Sequence, residues 1–430
     1  MWRALSHRNY KLFFSGQSIS LIGTWMTRIA TSWLVYRLTD SALLLGVVGF
    51  AGQIPSFVLA PFAGVLVDRW NRHRLLVATQ ILALLQSLAL AILALTGLIK
   101  IWHIILLSIF QGLINAFDMP ARQAFVVEMV EKREDLANAI ALNSSMVNAA
   151  RLLGPSIGGI IIAAVGEGWC FLLDAVSYLA VIASLLAMKI VPRMTKRTDD
   201  ANVLQQLREG WRYAFRFAPI RNVLLLLALV SLVGMPYTVL MPVFANEVLH
   251  GGPNTLGLLM AASGVGALGG AMFLAARKSV LGLGKYISLM AGAFGAGLMV
   301  FSFSRMLWLS LLLMIVTGLG FMVQMAASNT VLQTIVEEDK RGRVMSFYTM
   351  AFMGTAPFGS LLAGSIAERI GAPHTLFFGG LGCVLGALWF AKSLPSLRRD
   401  VRPIYVRIGI LPEMAEGIHQ TSELSVPPET

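Results

Sequence analysis

Hydrophobic positions in this chain gather into twelve long stretches separated by polar gaps. The stretches cover about residues 10–37, 42–67, 74–97, 101–121, 138–165, 170–190, 221–245, 255–276, 284–303, 306–328, 344–367 and 373–394. Within each, Leu, Ala, Val, Ile and Gly run on continuously instead of alternating with polar residues. A run of roughly 20 apolar residues spans the hydrocarbon of a bilayer as a helix. In lipid only a helix or a closed barrel satisfies its own backbone, and the missing alternation argues against a barrel. The pattern predicts an all-α membrane protein with twelve transmembrane helices.

The polar residues orient those helices. Lys and Arg total 34, and 28 of them fall at the two chain ends or in every second gap. The other gaps hold Arg37, Lys100, Arg305 and Arg369, while Arg28 and Arg151 lie inside stretches. Basic residues concentrate on the cytoplasmic side of membrane proteins, so both termini are expected in the cytoplasm. Only 13% of residues are charged, about half the usual share of a soluble domain. The net charge of +12 does not point to nucleic acid, because the basic residues are spread over the gaps and form no single face. The first stretch is too long for a signal-peptide core and lacks a small-residue cleavage site, so no cleaved leader is expected. Cys170 and Cys383 make neither a disulfide framework nor a metal site. No phosphate loop, metal cluster or nucleophile motif is visible, which argues against an enzyme, a cofactor or ATP as energy source.

The longest polar interruption divides the chain. Residues 1–190 are expected to form one six-helix bundle and 222–395 another, joined by a linker over 191–221, with a cytoplasmic tail over 396–430. The linker places Leu204, Leu207, Trp211, Ala214 and Phe215 on one helical face and Arg208, Arg212 and Arg216 on another. That pattern suits a helix lying on the inner membrane surface. The halves echo each other: an offset of 206 sets Gly64 on Gly270 and Arg72 on Lys278, and one of 202 sets Pro155 on Pro357. Duplicated bundles are the repeat logic of secondary transporters.

Three features carry chemistry. The gap after the second stretch reads Gly64-Val-Leu-Val-Asp68-Arg69-Trp-Asn71-Arg72-His73-Arg74. Gly64 permits close helix packing, and Asp68 is placed to meet a helix N-terminus or a nearby Arg. In the fifth stretch, Gly154 and Gly158 form a small-xxx-small face, Pro155 removes a backbone donor, and Gly159 follows. Charges inside the stretches, Arg28, Asp118, Arg151 and Asp174, all belong to the first half. A charge at the bilayer centre costs roughly 2.5–3.5 kcal/mol on insertion scales, so each needs a partner or a wet cavity. Asp118 is four residues from Arg122 and is a candidate for an ion pair. Asp118 or Asp174 could bind and release a proton during transport, since burial disfavours a charged carboxylate. Gln17, Thr24, Asn115, Asn148, Gln324 and Asn329 are further candidates to line a cavity, and Tyr237 sits in a segment broken by Pro236 and Pro242.

The Gly64–Arg74 string resembles the signature loop of the major facilitator superfamily, with Asn71 where a Gly is usual and Leu274 in place of the acidic residue in the second half. Gly154-Pro155-x-x-Gly158-Gly159 resembles the antiporter motif of its exporters, with Ala150 standing for a Gly. Pro120-Ala-Arg-Gln123, Leu142-Asn-Ser144, Phe171 to Tyr178 and Met241 to Ala245 extend the likeness to the branch holding bacterial enterobactin exporters and macrolide-type efflux pumps. That resemblance implies the two-bundle facilitator fold in a bacterial inner membrane. It also implies monomeric export of a small amphipathic molecule in exchange for protons, gated by Asp68, Arg69 and Arg72. An importer of the same fold and a non-transporting sensor or scaffold are the alternatives.

Overall fold

The computed structural model describes residues 3–130, 132–189, 212–277, 279–408 and 410. Six long helices form the first half: α1 (Arg8–Thr39), α2 (Ala42–Arg69), α3 (Arg72–Leu95), α4 (Ile101–Met129), α5 (Leu136–Val165) and α6 (Glu167–Leu186). The seventh traverse is broken into α7 (Ala218–Leu229), a π turn (Val230–Gly234), α8 (Tyr237–Val243) and a second π turn (Phe244–Val248). Then follow α9 (Pro253–Ala275), α10 (Leu283–Phe303) and α11 (Leu307–Ile335). The eleventh traverse joins α12 (Glu338–Thr349) to α13 (Ala356–Ile370) through a third π turn (Met350–Gly354), and α14 (Ala372–Arg407) closes the fold.

The helices outrun the apolar stretches that predict them. α4 continues to Met129, α11 to Ile335 and α14 to Arg407, through Pro395 and Pro403. Apolarity reports only the hydrocarbon layer, whereas backbone hydrogen bonding persists beyond it. The tail expected from 396 therefore begins as a continuation of the last helix, and residues 411–430 lie outside the described ones, as do 190–211 with most of the expected linker helix. Residues 212–216 of that helix are helical.

Among the described residues, eleven segments are long and apolar enough to cross a membrane. α1, at 32 residues, is the polar exception. It packs between α5 and α6, and its Gln17 and Ser20 are buried in protein. A helix enclosed in this way need not be apolar on every face.

The second half repeats the packing of the first. α2 lies on α4 as α9 lies on α11; α3 lies on α6 as α10 lies on α14. The tight turns repeat too. Gly166 (φ 92°) links α5 to α6 and Gly371 (φ 85°) links α13 to α14, at positive φ where a side chain would be strained.

Two seams join the halves, α2 against α13 and α5 against α9. Both are built on facing glycines. A methyl group on Gly46 would come 2.6 Å from the Ser360 carbonyl oxygen, and one on Gly364 2.7 Å from that of Ala42. Likewise Gly159 approaches the Pro253 oxygen (2.8 Å) and Gly257 the Pro155 oxygen (2.7 Å). These contacts lie toward the end of the molecule that carries the 40–41, 166 and 371 turns, here the distal end. Three hydrogen bonds join the halves there: Tyr36 Oη to Glu247 (2.5 Å), and Ser41 Oγ (3.1 Å) and the Leu43 N–H (3.0 Å) to Glu368 Oε2. At the opposite end, which carries the chain's first residues, α4 packs on α1, α2, α3 and α5, and α11 on helices of its own half. The bundles thus touch distally and part toward the terminus end.

Gly159→Val and Gly257→Val should disfavour the distally closed arrangement by about 1–3 kcal/mol of overpacking, since the collision is with backbone. Spin labels at residues 40 and 369 should then report longer distances, while each half keeps its own packing. An unchanged distance distribution would remove the seam from this role.

Candidate transport site

The Gly64–Arg74 loop is a helix–turn–helix. α2 ends at Arg69, Trp70 and Asn71 make the turn, and α3 begins at Arg72. Asn71, which stands where a Gly is usual, has extended backbone angles. At φ −68° and ψ 108° it caps α3, its Oδ1 accepting from the Arg74 N–H (3.0 Å). Arg72 reaches Glu128 near the end of α4 (2.7 Å), and His73 Nε2 meets the Leu185 carbonyl (2.8 Å). The loop therefore staples α3 to α4 and α6 at the terminus end. The side chains of Gly64, Asp68 and Arg69 lie outside the described ones.

The four charges inside the first bundle separate into three arrangements. Asp118 on α4 is almost wholly buried and fully engaged. It pairs with Arg122 one turn on, and its Oδ1 accepts from Thr79 Oγ1 (2.9 Å) and Gln80 Nε2 (2.7 Å) of α3. Such a carboxylate is compensated as an ion and locks α3 to α4.

Asp174 on α6 is equally buried and differently served. Its Oδ2 accepts from Thr27 Oγ1 of α1 (2.9 Å) and Ser87 Oγ of α3 (2.7 Å). Its Oδ1 has no hydrogen-bond partner and faces Gly23 of α1, where a methyl group would come within 2.6 Å of it. Among the described residues no cation lies within ion-pairing distance of this carboxyl. Three helices thus converge on a carboxyl group that the fold does not neutralise.

Arg28 and Arg151 share a ring. The guanidinium carbon of Arg28 lies 4.7 Å from the centroid of Trp25, and that of Arg151 lies 5.8 Å from it. Gly23 and Thr27 turn toward α6, while Ile22 and Met26 turn toward α5; Arg28 projects from the side that neither helix covers. It is the one residue between Ser20 and Tyr36 that is exposed. The antiporter-like motif sets the pair in place. The Gly154 backbone lies against Trp25 Cβ and within reach of the Ile22 oxygen, so any side chain there would drive α5 off α1. Gly158 lies on Met26 of the same face. Pro155 lacks the N–H that would have bonded the Arg151 carbonyl, and Gly159 forms the seam to α9. Among the described residues neither arginine has a carboxylate within 4 Å.

The remaining candidates sit apart. Tyr237 is buried in the second bundle, its hydroxyl on Ser263 Oγ (2.8 Å) and its ring edge-on to Phe294, so it is packed against α9 and α10 instead of lining the space between the bundles. Gln324 of α11 is fully buried with both amide atoms unpartnered. Asn148 donates to the Ser144 carbonyl of its own helix (2.9 Å), and Asn115 accepts from Gln111 (3.1 Å). Sequence reasoning missed Trp25, Thr27 and Ser87. Trp25 stands one turn before Arg28, which is a usable signal; Thr27 and Ser87 meet Asp174 only through the tertiary fold.

Residues 1–405 match the family described as transmembrane secretion effector. The chain belongs to this family of the major facilitator superfamily. Its relatives span nearly all of it. The staphyloferrin A transporter of Staphylococcus aureus is 27% identical over 91% of this chain and 98% of its own length. The multidrug efflux pump Tap of Mycolicibacterium fortuitum is 27% identical over 89% and 92%. Macrolide efflux protein A of Streptococcus pyogenes is 23% identical over 87% and 94%. Among solved structures, a bacterial homologue of the human lysosomal transporter Spinster, inward-facing and unoccupied, shares the fold at a TM-score of 0.70 and 13% identity, over 92% of this chain and 98% of that one. The superfamily resemblance, the two-bundle fold and the absence of an enzyme's role all follow from this membership. It is a transport family, so the polar groups above are read as transport machinery.

Arg122→Ala would strand the Asp118 carboxylate among buried groups. A loss of about 2–4 kcal/mol of stability is expected, trimmed for the quarter of Arg122 that is exposed. Asp118→Asn in the same background should restore most of it, because the stranded charge is gone. Thermal unfolding in detergent measures both; an Arg122→Ala protein as stable as the parent would show that the pair is not structural.

Proposed function

We propose that the protein is a bacterial inner-membrane exporter that expels a small amphipathic molecule from the cytoplasm in exchange for protons. Its relatives are named for staphyloferrin A transport, multidrug efflux and macrolide efflux, which supports small-molecule export. The excess of Lys and Arg on the terminus end supports a cytoplasmic location for both termini. The arrangement seen here, closed distally, is then the inward-facing one.

Asp174 carries the coupling. A carboxyl group that is buried, lacks a cation and has one oxygen unpartnered is stable when protonated and uncompensated when ionised. Proton loss puts a negative charge among α1, α3 and α6, and that charge is relieved only by water or a rearrangement of the three helices. Asp118 does not serve, because Arg122 already neutralises it. In the inward-facing state the proton leaves to the cytoplasm and substrate enters between α4 and α11; in the outward-facing state a proton returns as substrate departs. Asp68, Arg69 and Arg72 would bridge helices at the cytoplasmic face when the bundles close there, with Arg72 drawn from its place on Glu128.

Efflux from cells stripped of their own pumps, over a panel of siderophores and antibiotics, is the direct test. Export should collapse with a protonophore. Asp174→Asn, which keeps the shape and cannot ionise, should lose gradient-driven export while retaining downhill exchange of the same compound in proteoliposomes. Accumulation in place of depletion would make the protein an importer. Protonophore-sensitive export by Asp174→Asn at the parent rate would remove Asp174 from the coupling.

A further inference from the structure

We infer that Arg28, Arg151 and Trp25 form the cargo site, and that the part of the cargo it grips is a small polycarboxylate. The inference rests on the export reading above and adds to it the chemical class of the substrate.

Two guanidinium groups lie at mid-span within 6 Å of one indole ring. Each acts on the other as a like charge. Nothing in the packing requires this. Among the described residues, carboxylates of the first bundle are committed elsewhere: Asp118 to Arg122, Glu128 to Arg72, Glu167 to Arg37, Asp135 to His7, and Asp174 to two hydroxyls on another face of α1. In the second bundle Glu247 and Glu368 stand at the distal end, not at this depth. The indole face offsets part of the desolvation of each cation but supplies no negative charge. The missing charge is left for the cargo to bring.

Guanidinium geometry selects among anions. Each presents a planar fork that matches a planar carboxylate two bonds at a time. Two separate forks beside one flat ring ask for two carboxylates on one short molecule. The site is also held ready. Gly154 fixes α5 against Trp25, the same close approach brings Arg151 to the ring, and Arg28 is exposed. Preorganised cations lose little freedom when the anion arrives, which favours binding.

The test is equilibrium binding to the purified full-length protein in nanodiscs of zwitterionic lipid. The probes are citrate, tricarballylate and isophthalate, each against its neutral methyl ester. Sodium sulfate at matched ionic strength controls for the general stabilisation that excluded anions confer. Wild-type protein should melt at higher temperature with at least one polycarboxylate and with none of the esters. Binding should weaken about tenfold or more in Arg28→Gln and in Arg151→Gln, the worth of a charge-assisted hydrogen bond, and further in the double variant. Lys at either position, which keeps the charge without the fork, should recover part of the loss and report that the protein folds. No saturable response to any of the three acids, equal responses to acids and esters, or a double variant that binds as the parent does would each overturn the inference. A response that needs anionic lipid in the nanodisc would also overturn it, assigning the arginines to a headgroup. The export reading stands or falls separately. If the double variant still exports a compound of the panel at the parent rate, the cargo site is wrong and export is right. If polycarboxylates bind but protonophores leave export untouched, the cargo site stands and the exchange for protons falls.

Discussion

The cost of taking charge out of water governs this molecule. A bilayer gives no relief to an ion, so every charged side chain inside the bundle must find a partner, a wet surface or a way to become neutral. The first bundle uses all three. Asp118 finds Arg122, Thr79 and Gln80 and becomes a structural tie between α3 and α4. Arg28 stays exposed. Among the described residues Asp174 has hydroxyls but no cation, and in the proposed function a proton supplies its neutrality. The difference between Asp118 and Asp174 is thus one arginine.

The same scarcity of polar partners explains the seams. Apolar side chains have no hydrophobic reason to associate inside lipid, so helices cohere by close packing, and glycine allows the closest. Gly46 with Gly364 and Gly159 with Gly257 bring backbones of opposite halves into contact. The polar latches beside them, Tyr36 with Glu247 and Glu368 with Ser41 and the N-terminus of α2, are exchangeable for water once that end opens.

Much of the fold was legible in the chain because the bilayer makes hydropathy nearly sufficient: twelve apolar stretches map onto twelve traverses. Their ends were not, since helices such as α4 and α14 continue past the hydrocarbon where composition no longer marks them. Local chemistry was also readable. The Asp118–Arg122 spacing of four residues puts both on one helical face, and the pair forms. The role of Asn71 was not readable, because the same residue type serves left-handed turns and helix caps, and only its backbone angles decide. The partners of Asp174 come from 147 and 87 residues away in sequence, and no periodicity encodes them. The meeting of Arg28 with Arg151 is of the same kind, since it depends on how closely Gly154 lets two helices approach.

One helix links the two sites. Thr27 gives its hydroxyl proton to Asp174, and the next residue, Arg28, reaches over Trp25 on a different side of α1. The acceptor that Thr27 addresses changes from a carboxylate to a carboxylic acid when a proton binds, and a hydrogen bond to an ion is roughly twice as strong as one to a neutral group. α1 is therefore held more tightly to α6 in one protonation state than in the other. Because α1 is also the wall that carries Arg28 and Trp25, a small rotation or slide of this helix alters both guanidinium positions at once. Coupling in this scheme needs no long relay of residues. It needs a single polar helix, too hydrophilic to count as a membrane span by composition, whose two faces answer to a proton and to cargo.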